Sequence, residues 1–355
     1  VHLAWGRVVR IAEERAGLQR LEVIVEGASA PSDARAYPSL TGSCGVGERV
    51  LLNTTAVNLG LGTGGVHFVV ARAGGTLVDP SAGHIMKLRY TPLQCDVLAV
   101  EEAASPHAGV MEHARTLEGM PIVCCGLHSQ LLPVAAAIKA LSAELRVAYV
   151  MTDHAALPLA LSDLVAAMTE CGLLDSTITA GQAFGGSLEG ITTHSALLAA
   201  RHVAKADVAV VALGPGIVGT ASPFGHGGVA QGEAINAAGA LGGQPIAVLR
   251  LSFTERRARH YGVSHHTRSA LGTVALASAT VVVPALSDAE RVVVDTALEG
   301  ADVWQRHTRI DEPASPLPDT RGLPMRSMGR TPADDPAFFH AAAAAGRVAG
   351  RSVRR

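Results

Sequence analysis

Histidine, aspartate, serine and arginine crowd into five short stretches of this 355-residue chain: GLHSQ (126–130), TDHAALP (152–158), AGQAFGG (180–186), GPGIVGTASPFGHGG (214–228) and SFTERRARHYGVSHHT (252–267). His128, His154, His226, His265 and His266 fall within them, and Asp153 stands beside His154. Neutral imidazoles near a carboxylate suit proton transfer, which makes Asp153, His128, His265 and His266 the candidates for catalysis. The same residue types can ligate a metal. However, no H-x-H or H-x-x-x-H spacing supports that, and adjacent histidines at 265 and 266 should point to different sides of a helix. The expectation is polar ligand contact or proton transfer, with no metal site. Ser129 lies on a strand-to-helix turn, but GLHSQ lacks the second glycine of a nucleophile elbow, so helix capping competes with a ligand role. Gln130, Thr152 and Gln182 are further candidates for ligand contact. Arg256, with Arg257 and Arg259, either clamps an anion or forms a solvated helical turn. Ser264 reads as the N-cap of a helix beginning HHTRSAL.

VVALGPGIVGT (210–220) contains Gly214, Gly216 and Gly219 in the spacing G-x-G-x-x-G. A dinucleotide fingerprint needs a helix starting within the glycines and an acid about 20 residues later. Here Pro223, Gly225, Gly227 and Gly228 delay the helix to near Val229, and the following strand PIAVLRLSF holds no acid. A nicotinamide or flavin site is therefore not expected. A P-loop is also excluded, since the only lysines are Lys87, Lys139 and Lys205 and none follows a glycine. What remains is a glycine-rich loop with free amides and the Thr220 and Ser222 hydroxyls. Such a loop, including Gly225, is either an anion nest or a device for tight packing.

The elements that must position these loops follow from the apolar pattern. GRVVRI, LQRLEVIVEG, ERVLLN and HFVVARAG are short, Val-rich and separated by turn residues, including the glycines of LGLGTGG (59–65). They predict a β-rich barrel or sandwich over residues 1–90. Residues 91–118 read as a connection. From residue 119 to about 300, the runs MPIVCCG, LRVAYVMT, STITAG, ADVAVVALG, QPIAVLRLS and ATVVVPAL alternate with Ala- and Leu-rich helical stretches. Continuous apolar strands between helices predict an α/β fold, a mainly parallel doubly wound sheet with a smaller β-rich N-terminal domain. The five polar loops follow strands, so they should converge on the carboxyl edge of that sheet, where open α/β sheets bind ligands. Residues 301–355 read as a Pro-rich segment and a terminal helix.

Composition narrows the function classes. A net charge of -2 and 3% aromatics give neither a basic field nor stacking platforms, which disfavours nucleic acid. No apolar run reaches membrane-spanning length and the N-terminus lacks a secretory signal pattern. Five cysteines without a C-x-x-C pair suit a reducing compartment, so a soluble cytoplasmic protein is expected.

The strings GHIMKLRYTPLQ, GLHSQ, TAGQAFGG, GPGIVGT, SHHT and MGRTPADDPAFF, in this order, resemble the bacterial domain-of-unknown-function family 3866. The resemblance spans nearly the whole chain and implies one full-length architecture, with His154 standing where the family pattern leads one to expect glycine. It carries no activity, so function rests on the residues. They point to a small anionic metabolite, phosphorylated or carboxylated, bound at the carboxyl edge by an enzyme of acid/base type. The alternative is a non-catalytic regulatory or scaffold protein. Cofactor identity and homo-oligomer formation are left open.

Overall fold

The computed structural model describes residues 1–60, 65–75, 78 and 81–353 and divides into two units, Val1–Leu98 and Ala99–Arg355. The first unit holds strands β1 (Leu3–Arg15), β2 (Leu18–Val25), β3 (Ser32–Ala36), β4 (Arg49–Asn53) and β5 (His67–Arg72), with single-turn helices α1 (Pro38–Thr41) and α2 (Thr55–Asn58). In the order β1-β2-β3-β5-β4, they close into a barrel. The thirteen-residue β1 can pair with both β2 and β4 because register shifts at Val8/Arg10 and Ile11/Glu13 bend it. Alternate residues of the strands, among them Val8, Leu21, Val23, Val50, Leu52 and Val69, fill the interior. Most of LGLGTGG lies outside the described residues. A hairpin of β6 (Ile85–Lys87) and β7 (Cys95–Val97) belongs to this unit. The boundary therefore lies at residue 98, not 90, and part of the expected connection is paired strand.

The second unit opens with α3 (Ala108–His113) and then alternates: β8 (Pro121–Cys124), α4 (Leu131–Leu141), β9 (Val147–Thr152), α5 (Asp163–Glu170), β10 (Ser176–Thr179), β11 (Leu188–Glu189), α6 (Thr193–His202), β12 (Val208–Leu213), α7 (Ala230–Ala240) and β13 (Gln244–Val248). A two-residue pair, β14 (Leu251–Ser252) and β15 (Gly262–Val263), precedes α8 (His265–Ser269), whose last turn widens into a π turn over Ala270–Val274. Then follow β16 (Thr280–Val283), α9 (Asp288–Glu299), β17 (Thr308–Asp311) and α10 (Pro336–Arg351). Eight strands form one all-parallel sheet in the order β11-β10-β9-β12-β8-β13-β16-β17. All six expected strands are present. β11 and β17 were not foreseen, because two and four half-polar residues give no periodic signal.

The sheet is covered on both faces. On one, α4, α5 and most of α10 pack over Val123, Tyr149, Val210 and Val248. On the other, α3, α6, α7 and α9 pack over Ile122, Val150, Val211 and Val281. The run HAAAAAGRVAG of α10 lets it lie close on α4: a Cβ at Gly346 would come 2.4 Å from the Val134 carbonyl. The residues expected as a separate C-terminal segment are thus part of this unit. β17 extends its sheet and α10 covers it. No helix among the described residues is long and apolar enough to cross a membrane.

Candidate functional site

Because every strand of the large sheet is parallel, the loops after β8, β9, β10, β12 and β13 lie along one edge, and they touch in sequence. Asp153 Oδ2 accepts from the Gln182 amide at 2.9 Å, joining the loops after β9 and β10. The Ala156 amide donates to the Pro215 carbonyl at 3.1 Å, joining those after β9 and β12. His226, after β12, stacks on His266, beyond β13. Neighbouring strands β8 and β12 send the chain in opposite directions, to β9 and to β13, so α4 and α7 lie on opposite faces and leave a crevice between the strand ends. Gln231 of α7 ties the ends of the adjacent pair β8 and β13, donating to the carbonyls of Cys124 at 2.8 Å and Val248 at 2.7 Å.

Four buried imidazoles pack together beside the end of β13. His226 and His266 stack with centroids 3.8 Å apart and planes 8° apart. His265 meets both edge-on, at 5.1 and 4.5 Å, and His260 lies 4.8 Å from His265 and 5.1 Å from His266. Two glycines admit the rings. A Cβ at Gly219 would lie 3.2 Å from His266 Nε2, and one at Gly228 would lie 3.0 Å from Nδ1 of both His226 and His266. The last glycine of G-x-G-x-x-G therefore makes room for an imidazole. Ser264 caps α8 as expected, accepting from the His266 amide at 3.3 Å, and its hydroxyl also meets His260 Nδ1 at 2.8 Å. The expectation that His265 and His266 diverge is corrected. They leave the helix about 100° apart, yet their rings come within 4.5 Å of each other and both meet His226, one stacked on it and the other edge-on. Burial lowers the pKa of all four rings, to about 3 for His260 and about 2 for His266, and nearby positive charge adds to it. They are neutral.

The charge beside them is Arg250, at the end of β13 and 6% exposed. Its Nη1 donates to His266 Nδ1 at 3.0 Å and its Nη2 to the Met328 sulfur at 3.7 Å. No carboxylate pairs with it among the described residues. Burial, with Arg257, Arg330 and Arg259 close by, lowers its pKa to about 10, while the nearby charge of Glu255 works the other way. Arg257 Nη2 and Arg330 Nη2 also reach the Met328 sulfur, each at 3.9 Å. Three guanidinium groups thus converge on one thioether. Met328 is held there by a tight turn in which Ser327 and Arg330 exchange main-chain hydrogen bonds, with Met328 at φ 50° and Gly329 at φ 80°. Left-handed backbone is uncommon for a long side chain. Glu255 bonds Arg257, which holds its carboxyl down at about 2, and it also meets Arg330 at 3.3 Å.

The remaining candidates are elsewhere. His128 has both ring nitrogens engaged, with the Tyr149 hydroxyl at 3.2 Å and Ser162 Oγ at 2.8 Å, and burial lowers its pKa to about 4. Ser129 does not cap α4, because its hydroxyl pairs with that of Ser327 at 3.0 Å. Gln130 is buried and accepts from the amides of Gly126 and Leu127 while donating to the Leu249 carbonyl, so it braces the turn. Thr152 is buried at the end of β9, and Asp153 holds the Gln182 amide, joining the loops after β9 and β10. Arg256 is exposed. In the glycine-rich loop, the amides of Thr220, Ser222, Gly225, His226 and Gly227 all donate to acceptors inside the loop. The tip at Thr220–Gly225 is therefore a self-bonded turn in which those donors are taken. Gly214 serves packing, since a Cβ there would meet the Ala156 carbonyl at 2.6 Å, and Gly216 supplies a φ of 89°. At these positions the hydrogen bonds and contacts serve close packing of the loop.

The sequence reading missed Arg250, His260, Met328 and Arg330. Arg250 had a signal: it is the single charge inside the apolar run PIAVLRLS. Met328 and Arg330 had none, since about 70 residues separate them from the loop they cover.

No curated protein and no solved structure matches the chain. Residues 33–346, from β3 of the barrel through nearly all of the α/β unit, match the family described as "Protein of unknown function (DUF3866)", and the chain belongs to that family.

Proposed function

We propose that the α/β unit binds a small anion of the phosphate or carboxylate class, seated on the guanidinium groups of Arg250, Arg257 and Arg330. The carrying observation is the convergence of all three on the Met328 sulfur. A thioether is a weak acceptor, and a buried cation without a paired anion costs several kcal/mol. An anion in place of that sulfur would take charge-assisted hydrogen bonds from each group. Access is available. An open depression of about 340 Å³, lined by Thr254, Glu255, Arg256, Arg257, Met328 and Arg330, adjoins a cavity of about 10 Å³ bordered by Arg250, Ser252 and His260. Glu255, Met328 and Arg330 border both, and the reading requires the Met328 side chain to turn aside so that they join.

Acid/base turnover of the bound anion is the second part of the reading. It rests on His260 and Ser252 in the cavity wall, with His265 and His266 behind them, in place of Asp153 and His128. Five free thiols are in keeping with a reducing, cytoplasmic setting. The test is thermal shift and calorimetry with phosphate, pyrophosphate, sugar phosphates and di- and tricarboxylates. The parent protein should respond to at least one class, Arg257→Ala should weaken that response about tenfold, and Met328→Ala should leave it intact or strengthen it. If no anion shifts the parent or Met328→Ala, the seat does not exist. Binding without turnover of any bound compound favours the regulatory alternative.

A further inference from the structure

We infer that His226, His265 and His266 form a binding site for a late first-row divalent metal ion, with Zn²⁺ the first choice. Each offers one ring nitrogen, and the three nitrogens lie within 4.8 Å of one another in a buried setting. Burial alone does not make a metal site, but the hydrogen bonds around these rings are those of metal ligands. His226 Nε2 donates to the Pro223 carbonyl at 2.9 Å, so Nδ1 carries the lone pair. His265 Nδ1 donates to the Arg259 carbonyl at 3.3 Å, so Nε2 carries it. A ligating histidine is held in the same way, with the nitrogen away from the metal donating to a carbonyl that fixes its tautomer.

The inward nitrogens, His226 Nδ1 and His265 Nε2, are buried and have no partner in good hydrogen-bond geometry, although the Thr220 main chain lies close to the His265 ring. Two unanswered acceptors a few ångströms apart are a cost to the fold that a cation would remove. Only a glycine fits beneath the rings at residue 228, where a Cβ would crowd Nδ1 of both His226 and His266 at 3.0 Å. Tetrahedral Zn–N bonds of about 2.0–2.1 Å place ligand nitrogens about 3.4 Å apart. The present separation is up to 4.8 Å, so metal binding requires the rings to rotate toward one another. Such rotation also unstacks His226 from His266.

Imidazole suits zinc, copper, nickel and iron, whereas calcium and magnesium prefer oxygen. Three histidines without a fourth protein ligand match the open sites that bind water or substrate, and not closed structural sites. Arg250 competes for His266 Nδ1, since its Nη1 lies 3.0 Å away. Metal binding requires that guanidinium to turn away. No ligand spacing marks the site in the sequence because its ligands come from two loops, one at residue 226 and the other at 265 and 266.

The experiment uses untagged full-length protein, titrated with Co²⁺ as a spectroscopic stand-in and with Zn²⁺ in competition. We expect close to one ion per chain, visible absorption of four-coordinate Co²⁺, and displacement by Zn²⁺. His226→Gln and His265→Gln should each weaken binding at least about 100-fold, with folding checked by circular dichroism, and the exposed His194→Ala should not. Arg250→Met should tighten binding about tenfold. The inference is overturned if the parent binds no ion tighter than about 100 µM, or if His226→Gln and His265→Gln bind as the parent does. The readout is metal binding, so it stands or falls separately from the anion seat.

Discussion

The two ends of the carboxyl edge answer their charges differently. At the β9 end, His154 Nε2 meets Glu233 Oε2 at 2.8 Å, its Nδ1 lies 3.6 Å from Asp153 Oδ1, and the other Asp153 oxygen takes the Gln182 amide. At the β13 end, Arg250 is more deeply buried yet pairs with a neutral imidazole and a thioether. Charged groups that satisfy one another hold loops together. A charged group left without a counter-ion marks a place where the fold is incomplete by itself. Residues of the same types, chosen from one sequence, therefore have opposite meanings at the two ends.

The sharpest way to break this comparison is Arg250→Met. It replaces a buried charge that has no direct ion pair by an apolar side chain of similar length, so ligand-free stability should rise by about 1–4 kcal/mol in denaturant melts while any anion response disappears. A loss of stability would show that Arg250 is structural, and the contrast between the two ends would collapse. Gly228→Ala tests whether the imidazoles depend on the glycine beneath them. A Cβ 2.9 Å from His266 Cβ and 3.0 Å from two Nδ1 atoms should cost about 1–3 kcal/mol. Unchanged stability would mean that the rings are loosely held.

The smallest effect belongs to the end where opposite charges pair. The hydrogen bond to Glu233 raises the His154 pKa, and the same bond lowers that of Glu233. The raised imidazole adds stability that is fully present below its unfolded pKa of about 6.5 and is lost as pH rises through its folded value. The lowered carboxyl adds stability above its unfolded pKa of about 4.3 and loses it as pH falls through the folded one. Glu233→Gln should therefore cost most near pH 5–6 and least above pH 8, by no more than about 1 kcal/mol because the pair is partly exposed. Equal cost at both pH values would show that the bond does not depend on His154 being charged.

The sequence by itself determined the second unit's architecture. Runs such as VAYVMT and VAVVAL have no polar face, so they must be strands covered on both sides, and helices between them force parallel connections. Parallel connections in turn bring the five polar loops to one edge. Which loops meet, and which side chains face each other, was not legible. His226 and His266 are 40 residues apart, and stacking them required the order of β12, β8 and β13 together with two glycines that leave space for rings. Gly219 shows the difference most plainly: as a letter it belonged to a phosphate-binding pattern, and in the fold it faces an imidazole. Periodicity is a local property, set by which side of a strand or helix must avoid water. Convergence is set by strand order and by chain segments that return from far away, such as the Met328 turn above Arg250. No local pattern records where such a segment will land.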